Sequence, residues 1–356
     1  QRLETGRLNP RPIPHAPSMM NHCTPPPLDA ADFTGGVFPE HAFPPLPESA
    51  NDYYAACRRG YAIMAGSRVA IAGLARNVGK VLPLTIRRIE NLARCFADYR
   101  VVVFENDSRD DTKLLLSRWA RGNRRVFVAS EDLADPVNPT TRCLDRAARM
   151  ARYRGRCQET VLDHCRHYDA TILIDFDVQG GFSIDGIAHS FGYPGWDFVG
   201  SNGLICRRAG LQMNALRQYD TWALRFDAAL TPLSTAAAGG MVYDRGAPLV
   251  PVTSCFGGLG IYCMEAYAAG TYGTDDLEHA TFHRTMIAQG FSRLFLNPSQ
   301  LVIYGRRHRF GDRFAATLLR NWARLQGRSG SDELFARGRR MSAGPAPVAI
   351  RSRRAA

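Results

Sequence analysis

Four short apolar runs set the frame of this chain. They are Val69 to Leu74, Val101 to Phe104, Val126 to Val128, and Thr171 to Ile174. None alternates with polar residues, so each predicts a strand buried on both faces. Between them the apolar spacing changes to that of helices. Leu84, Ile86, Ile89, Leu92, Ala93 and Phe96 predict a helix over Val81 to Phe96. Asp111 to Trp119 predicts a second, with acidic residues at its positive end, and Arg142 to His167 one long helix or two. Asp52 to Ala65 predicts a further helix ahead of the first strand. The resulting β-α-β-α-β-α-β order predicts an α/β fold, a mostly parallel sheet flanked by helices. Ligands of such sheets bind beyond the carboxyl ends of the strands.

After Gly180 the pattern is irregular. Trp196 to Gly200 and Gly203 to Cys206 predict short strands and turns, and Leu230 to Gly240 is small and flexible. Gly257 to Tyr262 predicts a glycine turn followed by a strand. Asp276 to Ala288 predicts a helix and Leu294 to Pro298 a late strand. Proline crowds residues 1–50, as at Pro25-Pro26-Pro27, which predicts a loosely ordered arm. The organised domain is expected over 51–327, including a basic amphipathic helix over Phe314 to Leu325. A basic, disordered tail is expected over 328–356.

Composition adds a preference for anionic partners. The formal net charge is +12 over 356 residues, and all basic residues but Lys80 and Lys113 are arginine, the better fork for phosphate oxygens. Arginine richness of this extent is equally the mark of a GC-rich coding bias. Nine cysteines occur with no C-x-x-C pair, which argues against a zinc site and for reduced core thiols. No apolar run approaches the roughly 20 residues that span a bilayer. The expected location is cytoplasmic, with a peripheral membrane contact through the basic C-terminal segment; an anchor ahead of Gln1 stays open.

Three polar clusters follow the predicted strands. Asp175-Phe176-Asp177 places two carboxylates at a strand end, pointing to one side. With phosphate oxygens they suit Mg²⁺ or Mn²⁺, which neutralises a departing diphosphate. Two solvated loop carboxylates are the plain alternative. Glu105-Asn106-Asp107-Ser108 can accept from ribose hydroxyls or base N–H groups, or serve only as turn and cap. Arg76 and Asn77 can meet a diphosphate or a base edge, and Arg152 or Arg154, late in the long helix, can reach the diphosphate. Asp275-Asp276-Leu277-Glu278-His279 offers a general base for an acceptor hydroxyl, or simply helix N-terminal acids. His279 and His283, four apart, are a candidate metal pair, and His308 a third metal ligand.

Taken in order these residues resemble the GT-A glycosyltransferases, and most closely the fungal capsule-associated α-1,3-mannosyltransferase group and its bacterial relatives. The similarity runs from about Arg68 to Tyr304. It is carried by Ala75-Arg76-Asn77, Glu105-Asn106-Asp107-Ser108, Arg154, the D-x-D, Tyr219-Asp220-Thr221-Trp222, Ser254-Cys255-Phe256-Gly257-Gly258, Glu278-His279 and Asn297-Pro298-Ser299. It implies a GT-A-like fold whose irregular C-terminal half forms the acceptor side. It implies a nucleotide-sugar donor, GDP-mannose or a related hexose donor, a glycan or lipid-linked acceptor, and Mn²⁺ or Mg²⁺. Arg76, Asn77, Glu105, Asp107 and Arg154 would then hold the nucleotide and its phosphates, and Asp175 and Asp177 the metal. Asp220, Gly257 and Gly258 would line the sugar and acceptor side, with Glu278, Asp276 and Asp220 as catalytic candidates. The D-x-D departs from the group, which often carries Asn-Asp there.

Two other readings stay open. A haloacid-dehalogenase-like phosphohydrolase would use Asp175 as nucleophile, although no lysine follows Lys113 to hold the phosphoryl group. A non-enzymatic binder of anionic ligands would use the net charge; no motif points to specific nucleic-acid recognition.

Overall fold

The computed structural model describes residues 36–139, 142–209 and 212–307. The chain forms a compact unit through Arg306; of a second unit, Arg307–Ala356, only Arg307 is described. The expected helix over Phe314 to Leu325, the basic tail, most of the proline-rich arm and His308 lie outside the described residues.

The elements run α1 (Ala50–Gly66), β1 (Arg68–Ala75), α2 (Leu82–Ala93), β2 (Asp98–Asn106), α3 (Thr112–Gly122), β3 (Val126–Glu131), α4 (Leu144–Cys165) and β4 (Ala170–Ile174). Then follow β5 (Gly181–Phe182), α5 (Ile184–Phe191), β6 (Phe198–Ala209), β7 (Gln212–Gln218), α6 (Thr235–Gly239), β8 (Val250–Pro251), β9 (Leu259–Cys263), α7 (Met264–Ala269), α8 (Glu278–Ala288) and β10 (Leu294–Arg307). Among the described residues ten strands make one sheet. Its main path is β3-β2-β1-β4-β9-β6-β10-β5, with β7 on β6 and β8 on β10.

The first half is the expected parallel unit: β1 pairs with β2 and β4, and β2 with β3, all parallel. The irregular second half continues the same sheet with antiparallel pairs, β9 on β4 and β6 on β9. Burial of β1 on both faces explains its unbroken apolar run. Val69 and Ile71 face the core formed with α2, and Ala70 and Ala72 face the core formed with α4. The small residues lie under α4, which presents Tyr153, Cys157, Val161 and Cys165 at four-residue spacing. α4 is one helix of 22 residues, about 33 Å long. Gln158 of α4 donates to the carbonyls of Tyr267 and Gly270 at 2.7 and 2.9 Å, tying it to α7.

The described end of the arm is pinned. Phe38, Ala42 and Phe43 pack with Leu204, Leu301 and Ile303, and Glu40 accepts from Ser183 Oγ and from Asp185 N at the start of α5. α1 lies tightly on α5 through two glycines. A Cβ on Gly60 would stand 1.6 Å from the Ala188 carbonyl oxygen, and one on Gly192 would stand 2.1 Å from that of Ala56. Gly60→Ala therefore forces the helices apart and should cost about 1–3 kcal/mol, read as a lower urea midpoint with an unchanged m value. Cys57, Cys95, Cys143, Cys157, Cys165, Cys255 and Cys263 are free thiols. No described helix is long and apolar enough to cross a membrane.

Candidate active site

The turns after β1 and β2 are laced together. Asn77 and Asp107 both take the left-handed conformation, φ 53° and 52°, which Asn and Asp tolerate better than other side chains. The Asn77 side chain accepts from Arg109 N at 2.8 Å, and Asn77 N donates to Ser108 Oγ at 3.0 Å. Val78 N and Gly79 N donate to Thr112 Oγ1 and Asp110 Oδ2. Asp107 accepts from the backbone N–H groups of Ala134 and Asp135 and from Asn106 Nδ2. Those bonds hold its carboxyl below the usual range against burial, which acts the other way. Arg76 lies 3.7 Å from Asp107 and donates to the carbonyls of Asp135 and Pro136. A cleft of about 250 Å³ opens here, lined by Asp107, Ser108, Arg109, Asp132, Ala134 and Asp135.

Glu105 has a different place from the one expected. It is fully buried, and its oxygens accept from Ser108 N and Ser130 Oγ. It anchors the loop from beneath and presents no surface to a ligand.

The second half of the site gathers at the end of β4. Phe176 turns into the core, where Gly73 leaves room for its ring, since a Cβ there would meet it at 2.6 Å. Thr85 and Arg88 of α2 hold the backbone of this turn through the carbonyls of Phe176, Val178 and Gln179. Asp175 and Asp177 flank Phe176 and interact with each other. Arg154, only 4% exposed, lies between Asp175 and Glu278, with Nη2 3.2 Å from Asp175 Oδ1 and Nε 3.4 Å from Glu278 Oε1. Its guanidinium rests on the Phe256 ring, 4.9 Å from the centroid. Asp220 accepts from Gly257 N at 3.4 Å, and Asp175 N donates to the Gly258 carbonyl at 2.9 Å. Gly257 and Gly258 have φ of 69° and 90°, and a Cβ on Gly257 would meet the Ser201 carbonyl oxygen at 2.2 Å. This turn therefore needs glycine at its first position for both reasons.

The electrostatics follow from four carboxylates around one buried guanidinium. Burial pushes Asp175 up; Arg154 opposes it, while Asp177 and Asp220 add to it. Burial also raises Asp177 against the hydrogen bond from Tyr304. It raises Asp220 against two backbone N–H donors, and Glu278 against Arg154. Arg146, half-buried on α4, faces Asp177, Asp220 and Glu278.

Two tyrosines complete the cluster; Tyr219 stood in a motif of the resemblance without a role, and Tyr304 marked only the end of the similar segment. Tyr304, on β10, donates to Asp177 Oδ2 and stacks on Tyr219, with centroids 3.7 Å apart. The motif Tyr219-Asp220-Thr221-Trp222 is the sequence signal for Tyr219. Tyr304 comes from a strand whose sequence shows nothing but apolar spacing.

Other candidates lie elsewhere. Asp276 is clamped at both oxygens by the fully buried Arg225, at 3.0 and 3.1 Å, and its Oδ1 accepts from Leu277 N. That is an ion pair between a buried arginine and a half-buried aspartate just before α8, with no carboxylate oxygen left unpaired for a base. Asp275 pairs with Arg284 at the surface. The His279/His283 pair is core rather than metal site. His279 stacks on Phe256 at 3.9 Å. His283 lies between Tyr262 OH and Ser254 Oγ, and burial pushes it down to about 3. Arg152 is tied to Asp135 at the cleft.

Among the described residues no group of three His, Cys, Asp or Glu side chains is arranged to hold a metal ion. Asp175 and Asp177 supply two carboxylates in a cluster with excess negative charge. That donor set fits a Mg²⁺ or Mn²⁺ ion completed by phosphate oxygens and water.

No family model and no curated protein sequence matches the chain. Solved structures with a similar chain path include a mannosyltransferase from Pyrobaculum calidifontis in complex with GDP-Man and Mn²⁺. It is 13% identical, over 72% of this chain and 66% of that one, with a TM-score of 0.41. GalNAc-T7 with UDP, GalNAc and Mn²⁺ is 12% identical over 68% of this chain and 44% of that one, TM-score 0.43. Glucosyl-3-phosphoglycerate synthase from Mycobacterium tuberculosis with Mn²⁺, UDP and phosphoglyceric acid is 15% identical over 73% and 78%, TM-score 0.37. The chain thus spans just under two thirds of the first and less than half of the second. At these values the likeness carries no chemical argument, and the functional reading rests on the site itself.

Proposed function

We propose that this chain is a glycosyltransferase of the GT-A type, moving a hexose from a nucleoside-diphosphate sugar to a hydroxyl of a glycan or lipid-linked acceptor. The observation that carries the reading is the meeting of Asp175, Asp177, Asp220 and Glu278 around Arg154, beside a polar cleft at neighbouring strand ends. Asp175 and Asp177 would hold a divalent ion, Mn²⁺ or Mg²⁺, which supplies positive charge to the diphosphate. The cleft at Asp107 and Asp135 would take the nucleoside, with Arg76 beside it. Arg154 orients Asp175 and opposes the rise that burial imposes on its carboxyl. Asp220, held by the backbone N–H groups of Gly257 and Ala223, is placed to accept from the acceptor hydroxyl. In the transfer the acceptor oxygen bonds to the sugar carbon, the bond from that carbon to the diphosphate breaks, and the acceptor proton passes to Asp220 or to the departing phosphate. Glu278 is tied to Arg154 and acts as a positioning residue. GDP-mannose or a related hexose donor is the donor class that the sequence resemblance favours.

A phosphohydrolase using Asp175 as nucleophile finds less support. Of the arginines that face Asp175 and Asp177 among the described residues, Arg154 already takes an oxygen of Asp175, and Arg146 acts on Asp177.

A thermal-shift screen of nucleotide sugars with and without Mn²⁺ tests the reading. A shift that needs both ligand and metal supports it; nucleotide sugars that bind no better than nucleoside monophosphates oppose it. The same assay reads Tyr304. Tyr304→Phe removes the hydrogen bond that orients Asp177 and should weaken Mn²⁺ binding roughly tenfold or more. Manganese titration followed by electron paramagnetic resonance checks this without turnover.

A further inference from the structure

Arg142 stands at the outer corner of the site, where α4 begins, and the proposed function gives it no task. α4 rises about 15 Å between Leu144 and Arg154, so Arg142 lies well outside the Asp175–Arg154 pair. Its guanidinium lies over the half-buried Trp222 ring, 5.8 Å from the centroid, and donates to Thr221 Oγ1. These contacts link α4 to the loop that carries Asp220. Arg142 and Asp220 interact across this corner, and Arg225 repels Arg142 from behind. Partial burial disfavours its charge more than Asp220 compensates. Among the described residues Arg142 has no salt bridge within 4.0 Å and one hydrogen bond. Four of its five guanidinium N–H groups therefore have no partner among the described residues.

A guanidinium placed over an aromatic ring, with N–H groups open, is a fork for a planar or tetrahedral anion. It stands one residue's reach from Asp220, the proposed acceptor-hydroxyl partner. In a sugar phosphate or a uronic acid, the anionic group and the ring hydroxyls are separated by a few bonds. We propose that Arg142, set by Trp222 and Thr221, is an acceptor subsite, and that the acceptor is an anionic sugar carrying a phosphate or carboxylate group. This rests on the glycosyltransferase reading of the neighbouring cluster.

Calorimetry tests it with the full chain. The protein, with Mn²⁺ and either GDP or UDP, is titrated with mannose, mannose 6-phosphate and glucuronate. The two charged sugars should bind at least tenfold more tightly than mannose, and the tighter of the two identifies phosphate or carboxylate as the anion. Arg142→Gln should abolish that preference, and Arg142→Lys should restore part of it. Arg156→Gln, which removes a guanidinium paired with Glu131 elsewhere on α4, should retain it. Equal affinity for charged and neutral sugars, no sugar binding, or a preference that survives Arg142→Gln overturns the subsite. If neither nucleoside diphosphate binds with Mn²⁺, the glycosyltransferase reading fails, and the same titration of the protein alone still decides whether Arg142 selects an anion.

Discussion

Asp177→Ala should abolish sugar transfer, with kcat falling on the order of 10²–10³-fold or more, while the protein stays folded. Asp177 is half-buried, and burial raises its carboxyl beside Asp175. Removing it relieves like-charge repulsion and leaves one tyrosine hydroxyl, that of Tyr304, without its acceptor. The two effects oppose each other, so metal-free stability should stay within about 1 kcal/mol of the parent. The stabilisation by Mn²⁺ should vanish. A variant that still transfers sugar at the parent rate removes Asp177 from the mechanism. One that loses activity together with its fold points to a structural role instead.

Arg154→Met should be the most damaging change to stability. The side chain is buried, and its loss leaves Asp175 and Glu278 without their shared cation. Removing one partner of a buried pair costs about 3–5 kcal/mol. The effect has a pH sign. Asp175, Asp177, Asp220 and Glu278 all have raised values in the folded state. The folded protein therefore binds more protons than the unfolded chain above the ordinary carboxylate range. By linkage the cluster's contribution to stability falls as pH rises from about 4. In Arg154→Met that fall should steepen, because the guanidinium opposed the shift at Asp175 and Glu278. Urea unfolding at pH 5 and pH 8 measures it: the variant's deficit should be larger at pH 8. An equal deficit at both pH values would mean that lost packing, not charge, sets the cost.

These two predictions concern residues that differ in how plainly the sequence displayed them. Asp177 was legible because it closes the D-x-D that follows the apolar run Ile172-Leu173-Ile174, and an unbroken run of that kind marks a strand buried on both faces. The same physics exposed β1 and β2 and the loops after them; β3 is a strand as expected but lies at the sheet edge, where Phe127 is 41% exposed, so it is not buried on both faces. Arg154 was expected late in the long helix but lies at its middle, and which of many arginines turns inward depends on the rotation of α4 over Ala70 and Ala72. The antiparallel half was less legible. β5 and β8 are two residues each, too short for any period, and they are strands only because β10 pairs with them. Glu105 and Asp276 show a different limit. A carboxylate that anchors a loop and one that meets a ligand are the same letter. Only Ser130 above one and Arg225 beside the other, both distant in sequence, tell the roles apart. Tyr304 was invisible for the same reason: its partner Asp177 is 127 residues away.

The central claim is that the β4-end cluster holds a divalent ion and a nucleoside-diphosphate sugar together. Release of nucleoside diphosphate from GDP-mannose and related hexose donors, measured with Mn²⁺ and with chelator, tests it most directly. The account predicts release that requires Mn²⁺ or Mg²⁺ and is lost in Asp177→Ala. Release that is unaffected by chelator and by Asp177→Ala would contradict it.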